Sequence, residues 1–348
     1  MSKEVKALEA TTKGDFASFN QTIIKRRNLR PDDIAIDIKY CGICHSDVSM
    51  VQWQGAHFPM VPGHEISGIV SAVGSEVKDF KPGDRVGVGC FVNSCGKCAA
   101  CKAGQEQFCE KGTVVVFDSE DYDGTITQGG YSQAIVVKDH FVLHIPDELS
   151  LADAAPLLCA GITTYNPLKQ YNVGKDSKVA VIGLGGLGHI AVQFAAKMGA
   201  DVTVFGHSES KRDEAAKFGA TSYEILKDPE DFKPLAGQFD FILNTVAVNL
   251  DLNNYMPLLK FNGVFCYVGI PSDEIHLNLF SIFGNQANLT ASNVGGIAMT
   301  QEMLNFAAEN DIKPQIEMIG IDDVPEAYQN ILDSKVHYRY VIDMSTLK

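Results

Sequence analysis

The sequence predicts a chain of two unlike parts, a β unit and an α/β unit built on a parallel sheet. Three observations predict this. Short apolar runs punctuated by Gly and Pro fill the first half, an Ala-rich helical stretch begins soon after Pro146, and from Lys178 strands and helices alternate. The length of 348 residues fits two domains at roughly 100–200 residues each. A hydrophobic share of 45% and a charged share of 21% are ordinary for a globular chain with a real core.

In the first part, Ile34–Ile38, Gly68–Val73, Arg85–Val88 and Ala134–Val137 read as strands. Val61-Pro62-Gly63 and Lys81-Pro82-Gly83-Asp84 read as turns, and the rhythm is that of a barrel or sandwich. Ser119–Gly124 reads as a surface loop. Ser150 is placed to cap a helix N-terminus, with Asp153 as its capping-box partner. Then follow a strand at Lys178–Ile182, a glycine turn at Gly183–Gly188, a helix at His189–Met198, a strand at Asp201–Phe205, a helix at Ser210–Phe218 and a strand at Phe239–Leu243. Near the end, Thr300–Glu309 reads as a helix and Tyr340–Asp343 as a strand.

Charge and hydropathy set limits on function. The 29 basic against 43 acidic residues give a net charge of −14 with no basic stripe, which argues against a nucleic-acid partner. Apolar runs such as Val179–Ile182 and Ile135–Val137 are strand-length and too short to span a bilayer. Met1–Ala10 lacks the apolar core of a secretory signal, so the expected compartment is the cytoplasm. Thiols stay reduced there, and nine cysteines then point to metal or catalysis rather than to disulfides.

Four of those cysteines, Cys95, Cys98, Cys101 and Cys109, form a C-x2-C-x2-C-x7-C run. Thiolates this close can wrap one Zn²⁺ as a tetrahedron, with Gly96 and Gly104 easing the turns, and a four-thiolate site leaves no open position, so the metal would be structural. An iron–sulfur cluster is the chemical competitor, and spacing does not exclude it.

Cys41 and Cys44 form a second C-x2-C, but no matching pair lies at zinc-finger spacing. Cys44 stands instead 20 residues before His64, and a lone Cys159 sits in the apolar run Pro156–Gly161. Alone, Cys159 reads as a small buried hydrophobe and His64 as an ordinary histidine. Together with Cys44 they offer two sulfurs and one imidazole, which leaves a fourth tetrahedral position for water or substrate, as a catalytic zinc needs.

Gly183-Leu184-Gly185-Gly186-Leu187-Gly188 fits G-x-G-x-x-G between a strand and a helix, with a second strand on schedule. The glycines let the backbone approach a pyrophosphate and the helix N-terminus supplies free N–H groups. An acid at the end of the second strand would bind ribose hydroxyls, but Gly206 stands there, followed by His207, Ser208, Glu209, Ser210, Lys211 and Arg212. Ser208, Lys211 and Arg212 can donate to a 2′-phosphate, so the loop predicts NADP over NAD; Glu209 opposes this, and Lys211 and Arg212 also fit the solvated face of the next helix.

With these pieces the chain resembles the zinc-dependent medium-chain dehydrogenases, and more narrowly their cinnamyl-alcohol-dehydrogenase branch with its bacterial broad-range aldehyde reductases. The matching segments are Cys41–Asp47, Val61–Ile66, Gly83–Cys90, Cys95–Cys109, Gly129–Ser132, Ala155–Tyr165, Gly183–Gly188 and Val336–Asp343. The resemblance implies a GroES-like β-barrel catalytic domain over residues 1–152 and 295–348, and a doubly wound Rossmann NADP-binding domain over 153–294. It implies a catalytic zinc on Cys44, His64 and Cys159, Glu65 behind it, Ser46 bonded to the substrate oxygen, and Asp47 holding the His64 imidazole. It implies a structural zinc on Cys95, Cys98, Cys101 and Cys109, Thr163 facing the nicotinamide, and Thr245, Val268, Ser292 and His207 among the cofactor contacts. Relatives are commonly homodimers. One departure stands out: many carry a histidine three residues after the Ser/Thr to relay the proton, and here that position is Ser49. Water and ribose hydroxyls, or another group such as His57, would then carry it.

The expected chemistry is NADPH-dependent reduction of aldehydes, aromatic and aliphatic, to primary alcohols, and the reverse. A polyol or secondary-alcohol dehydrogenase is the nearest rival, and an NADP-binding protein without chemistry is a more distant one. Against the latter stands the intact set of Cys44, Ser46, His64 and Cys159. Trp53, Phe58 and Phe283 are candidate pocket walls only, since aromatic side chains are more often core.

Overall fold

A computed structural model describes residues 3–348. The chain divides into two compact units: the residues through Ile162 with Gly295–Lys348, and Thr163–Val294. The first boundary therefore falls at Ile162 and not at 152. The physical reason is the helix Leu151–Pro156, which packs on the strands Asp33–Ile43 and Glu65–Val73 and so belongs to the β unit. Ser150 caps that helix, accepting from the Asp153 backbone N–H at 3.0 Å.

The long strand Asp33–Ile43 is the spine of the first unit. Its alternation buries Ile34, Ile36 and Ile38. Along its whole length it pairs antiparallel with Glu65–Val73. On its other edge it changes partner: Asp33–Asp37 pair with Ala134–Lys138, and Tyr40–Ile43 with Tyr340–Asp343 of the returning C-terminal segment. Register shifts after Ala35 and Ile38 bend the strand where the partner changes. Arg85–Val88, Leu143–His144 and Ile316–Ile319 complete a seven-stranded sheet. A hairpin-like pair, Lys3–Ala10 with Phe19–Arg26, forms a separate two-stranded sheet not anticipated from the apolar pattern.

This pairing positions chemistry. Gly42 lies opposite Glu65, so the exit of one strand at Cys44 and the entry of its neighbour at His64 fall at one end of the sheet. The segment Ser119–Gly124 is only partly surface loop. Tyr122 is exposed, but Asp121 is buried and accepts from Asn93 Nδ2 at 2.6 Å.

The second unit is a six-stranded parallel sheet in the spatial order Ser222–Ile225, Asp201–Gly206, Lys178–Ile182, Phe239–Asn244, Leu259–Tyr267, Asn288–Ala291. Strand order reverses on either side of Lys178–Ile182, and a crevice outside the strand ends at such a point is where open α/β sheets bind ligands. The expected helix over 210–218 is a short 3₁₀ turn, Glu209–Lys211, and then Arg212–Lys217. Ala180, Ile182, Phe239, Ile242 and Phe265 build one core face of the sheet.

Candidate active site and metal centres

Two groups of metal-ligating side chains stand in the β unit, and each holds its ligand atoms within 4.8 Å of one another. The first is Cys44, His64, Glu65 and Cys159, all buried. Cys44 ends the spine strand and heads the helix His45–Gln52. Its sulfur lies 4.0 Å from that of Cys159, which rides on a π-helical turn, Leu157–Gly161. Such turns widen a helix locally and are frequent at functional sites.

Asp47 is the clamp. One carboxylate oxygen accepts from the Cys44 backbone N–H at 2.9 Å, and the other from the Gly63 N–H at 3.1 Å while it meets His64 Nδ1 at 2.8 Å. One buried carboxylate thus fixes two prospective ligands and leaves Nε2 of His64 for a metal. Phe117 stacks on the other side of the imidazole, ring centroids 6.1 Å apart. Ser46 lies on the same helix, exposed, and so does Ser49.

Glu65 is fully buried, with one oxygen on Arg339 Nη2 and the other without a partner. Burial pushes its carboxyl up to about 7 against the opposing pull of the Arg339 guanidinium. A buried, orphaned carboxylate oxygen beside two thiols and an imidazole fits a divalent cation. Cys41 is not part of the set. Its sulfur packs against the Gly63 and Gly130 positions and points to the Gly42 carbonyl at 3.7 Å. Phe117 carried no recognised local signal, and Arg339, though inside the matching segment Val336–Asp343, was not recognised as the partner of Glu65; the available hint was that a buried glutamate demands a cation.

The second group is Cys95, Cys98, Cys101 and Cys109. Its sulfurs receive backbone N–H groups: Lys97 and Cys98 donate to Cys95, Cys101 donates to Cys98, and Cys95 donates to Cys109, at 3.4–3.5 Å. Gly96 and Gly104 take positive φ, +64° and +69°, which is what lets the chain fold back so tightly.

In the α/β unit the glycine loop follows the central strand. Gly183 has φ +88°, and a side chain at Gly188 would run into the Gly183 carbonyl at 2.1 Å. Gly185 faces open space. The helix Gly188–Lys197 then presents its N-terminal amides. Leu184 is buried under the turn, and Gly186 and Leu187 are half-buried within it. Thr245, Val268 and Ser292 each immediately follow a parallel strand, so they share the carboxyl edge with the loop. Thr245 Oγ1 donates to the Ile182 carbonyl at 2.7 Å, and Ser292 Oγ accepts from Asn166 at 3.2 Å. Thr163 is half-buried at the start of this unit.

At the end of the second strand, His207 is exposed and Ser208 Oγ meets Ser210 Oγ at 2.8 Å. Lys211 Nζ reaches back to the Leu184 carbonyl at 3.0 Å. Arg212 is committed: it forks Glu209 and donates to the Tyr223 carbonyl at 2.6 Å. A phosphate would have to compete with Glu209 for it.

Comparison with known proteins fits this geometry. Residues 30–147 match the model of the alcohol dehydrogenase GroES-like domain, and residues 186–309 that of zinc-binding dehydrogenase. The chain is 56% identical over 333 residues to a Bacillus subtilis protein named probable formaldehyde dehydrogenase AdhA, covering 95% of each. It is 53% identical to NADP-dependent alcohol dehydrogenase C 1 of Mycolicibacterium smegmatis, covering 94% of this chain and 95% of the relative. The solved structure of a Helicobacter pylori cinnamyl alcohol dehydrogenase complexed with NADP(H) superposes with a TM-score of 0.91 at 42% identity, covering 99% of each chain.

Proposed function

The chain belongs to the zinc-binding alcohol dehydrogenases, in their cinnamyl-alcohol-dehydrogenase-like branch, and from that premise we propose that it is an NADPH-dependent reductase of aldehydes, aromatic and aliphatic, that also runs in reverse on primary alcohols. The observation that carries the reading is the convergence of Cys44, His64 and Cys159, with Glu65, from three separate stretches of chain into one buried cluster. Those three side chains would hold the catalytic zinc, with Glu65 behind it. Cys95, Cys98, Cys101 and Cys109 would hold the structural zinc.

The zinc supplies Lewis acidity toward a carbonyl or alcohol oxygen, and NADP(H) supplies or accepts the hydride. Everything else falls to the chain. Asp47 keeps His64 in one tautomer and orientation. The Ser46 hydroxyl holds the substrate oxygen and passes a proton to or from it. Ser49 offers no imidazole beyond it, so the proton would have to leave by another path, through water or His57. Gly183–Gly188 would cradle the pyrophosphate, and Thr163, Thr245, Val268 and Ser292 would contact the cofactor. The Ser208–Arg212 turn, with His207, would receive the 2′-phosphate, with Arg212 released from Glu209.

Two coarser features support further parts of the reading. The outer edge of Asn288–Ala291 has no neighbouring strand among the described residues, and Leu279, Phe280 and Phe283 nearby in sequence are 70–83% exposed. An open strand edge with exposed apolar residues close to it in sequence suits a second copy of the chain, hence a homodimer. All nine cysteines are free thiols, which suits the cytoplasm. No helix among the described residues is long and apolar enough to cross a membrane.

The test is direct. Purified protein should carry two zinc ions per chain and consume NADPH when benzaldehyde or cinnamaldehyde is added, with NADH much poorer. Turnover of mannitol-type polyols with none of aldehydes would favour the polyol rival. Full turnover by Ser46→Ala with zinc retained would remove Ser46 from the proton path.

A further inference from the structure

The second strand of the parallel sheet, Asp201–Gly206, ends on a glycine where an acidic side chain would meet the ribose hydroxyls of an unphosphorylated dinucleotide. That glycine is not an open position. A Cβ added to Gly206 would lie 1.8 Å from the hydroxyl of Tyr223 and 2.2 Å from its ring Cζ. Tyr223 stands on the edge strand Ser222–Ile225 opposite Val204. Gly206 is two residues further along, on the same face, so the ring leans along the pleat to the strand's end.

The ring is fixed there from three directions. Tyr223 is 4% exposed. Its hydroxyl donates to the Ser208 carbonyl at 2.6 Å. The Arg212 guanidinium lies 5.2 Å from the ring centroid, and Arg212 Nη1 donates to the Tyr223 carbonyl at 2.6 Å. A buried, hydrogen-bonded phenol is not a flexible end that can swing aside for a new side chain.

We propose that Tyr223 is a specificity-determining residue for the cofactor. Its hydroxyl end fills the volume that an acid at position 206 needs, and by holding the Ser208 carbonyl it fixes the turn that offers its hydroxyl and cationic donors to an adenosine 2′-phosphate. The inference rests on the NADP reading above and adds its cause. A glycine at 206 merely lacks an acid; Tyr223 forbids one. It follows that no acid placed at 206 converts the site to NAD unless Tyr223 is replaced with it.

Isothermal titration with NADP⁺ and with NAD⁺, no substrate present, tests this on the whole chain. Gly206→Asp alone should weaken both cofactors at least about tenfold, more than 1.4 kcal/mol each. Gly206→Asp with Tyr223→Val should bind NAD⁺ about tenfold tighter than the single variant and NADP⁺ far more weakly than the unchanged chain. If Gly206→Asp alone binds NAD⁺ as tightly as the double variant, the proposal fails. Thermal melting of Gly206→Ala, Tyr223→Val and their combination reads the same overlap without cofactor or charge. The melting loss from Gly206→Ala should vanish once residue 223 is valine, whereas additive losses overturn the overlap. Equal affinity of the unchanged chain for both cofactors would instead overturn the NADP reading itself.

Discussion

The two cysteine-rich centres of the β unit differ in how the chain builds them. Cys95, Cys98, Cys101 and Cys109 lie close together in sequence, and their sulfurs are fed by amides of the same short segment. Cys44 and Cys159 are 115 residues apart, and only the pairing of the spine strand, the Asp47 clamp and a π-helical turn bring them together with His64. The first centre carries its geometry with it, while the second borrows its geometry from the whole unit. On the proposed reading, a locally built four-thiol centre without a vacant position would serve folding, and a centre assembled by the fold, with three prospective ligands and an orphaned carboxylate, would serve chemistry. Removing a ligand from each should therefore damage different properties.

The largest effect belongs to the assembled centre. Cys44→Ser keeps an oxygen acceptor at a helix N-cap but removes a thiolate. It should lower kcat/KM by about a thousandfold or more, the several kcal/mol of charge stabilisation that a bound zinc supplies. Metal analysis should find one zinc per chain, and the melting temperature should move little. A large melting loss with activity retained would erase the distinction between the centres. Cys101→Ser should do the opposite, lowering the melting temperature by roughly 5–10 °C through a loss of a few kcal/mol of metal-linked folding energy. Activity per folded molecule should survive at temperatures below the transition. Two zinc ions in a stable Cys101→Ser protein would refute the structural assignment.

Asp47→Asn sharpens the comparison at an intermediate scale. It leaves a side chain of the same shape but removes the charge that faces Cys44 N–H, Gly63 N–H and His64 Nδ1. Outer partners of this kind are worth about 10–100-fold in metal affinity or activity. Zinc should be lost from the assembled centre at lower chelator concentrations, with the four-thiol centre unaffected. Equal loss from both would mean that Asp47 supports the fold and not the site.

The same contrast explains what could be read from the sequence. The four-thiol run was legible because its ligands are neighbours, and the glycine loop because its strand, turn and helix are contiguous. Cys44, His64 and Cys159 were legible individually only as weak candidates; their combination as two sulfurs and an imidazole grouped them, and the resemblance to a family reinforced that grouping. Arg339, 274 residues from Glu65, was invisible as a partner because nothing local marks a buried ion pair. Tyr223 carried no signal in the sequence, since its meaning lies in the space above Gly206. The strands Lys3–Ala10 and Phe19–Arg26 escaped because their exposed faces dilute the apolar alternation. The boundary at Ile162 escaped because helical character begins at Leu151, before the β unit has ended.

The smallest effect concerns how the four-thiol lobe is moored. Glu106, between Cys101 and Cys109, is buried and accepts from His140 Nε2 at 2.8 Å and from the Ile297 N–H at 3.1 Å, at the start of the helix Ile297–Glu309. The hydrogen bond that His140 donates to Glu106 raises the His140 pKa above its ordinary 6.5, and burial and Asp139 act in opposite senses beside it. Burial pushes Glu106 up, but its bonds to His140 and to backbone N–H groups outweigh this and leave it below 4.5. The raised histidine contributes stability that is complete below about pH 6.5 and lost as pH climbs through its folded value; the depressed glutamate contributes above about pH 4.5 and loses it on acidification. The mooring is therefore strongest between those limits. Because His140 is largely exposed, solvent screening keeps the pair small, about 1–2 °C in melting temperature. His140→Ala should cost that much at pH 5.5 and almost nothing at pH 8.5. A cost that stays constant over this range would assign the contribution to the contact between the His140 ring and Phe141, 5.0 Å between centroids, and leave the lobe without an electrostatic tether.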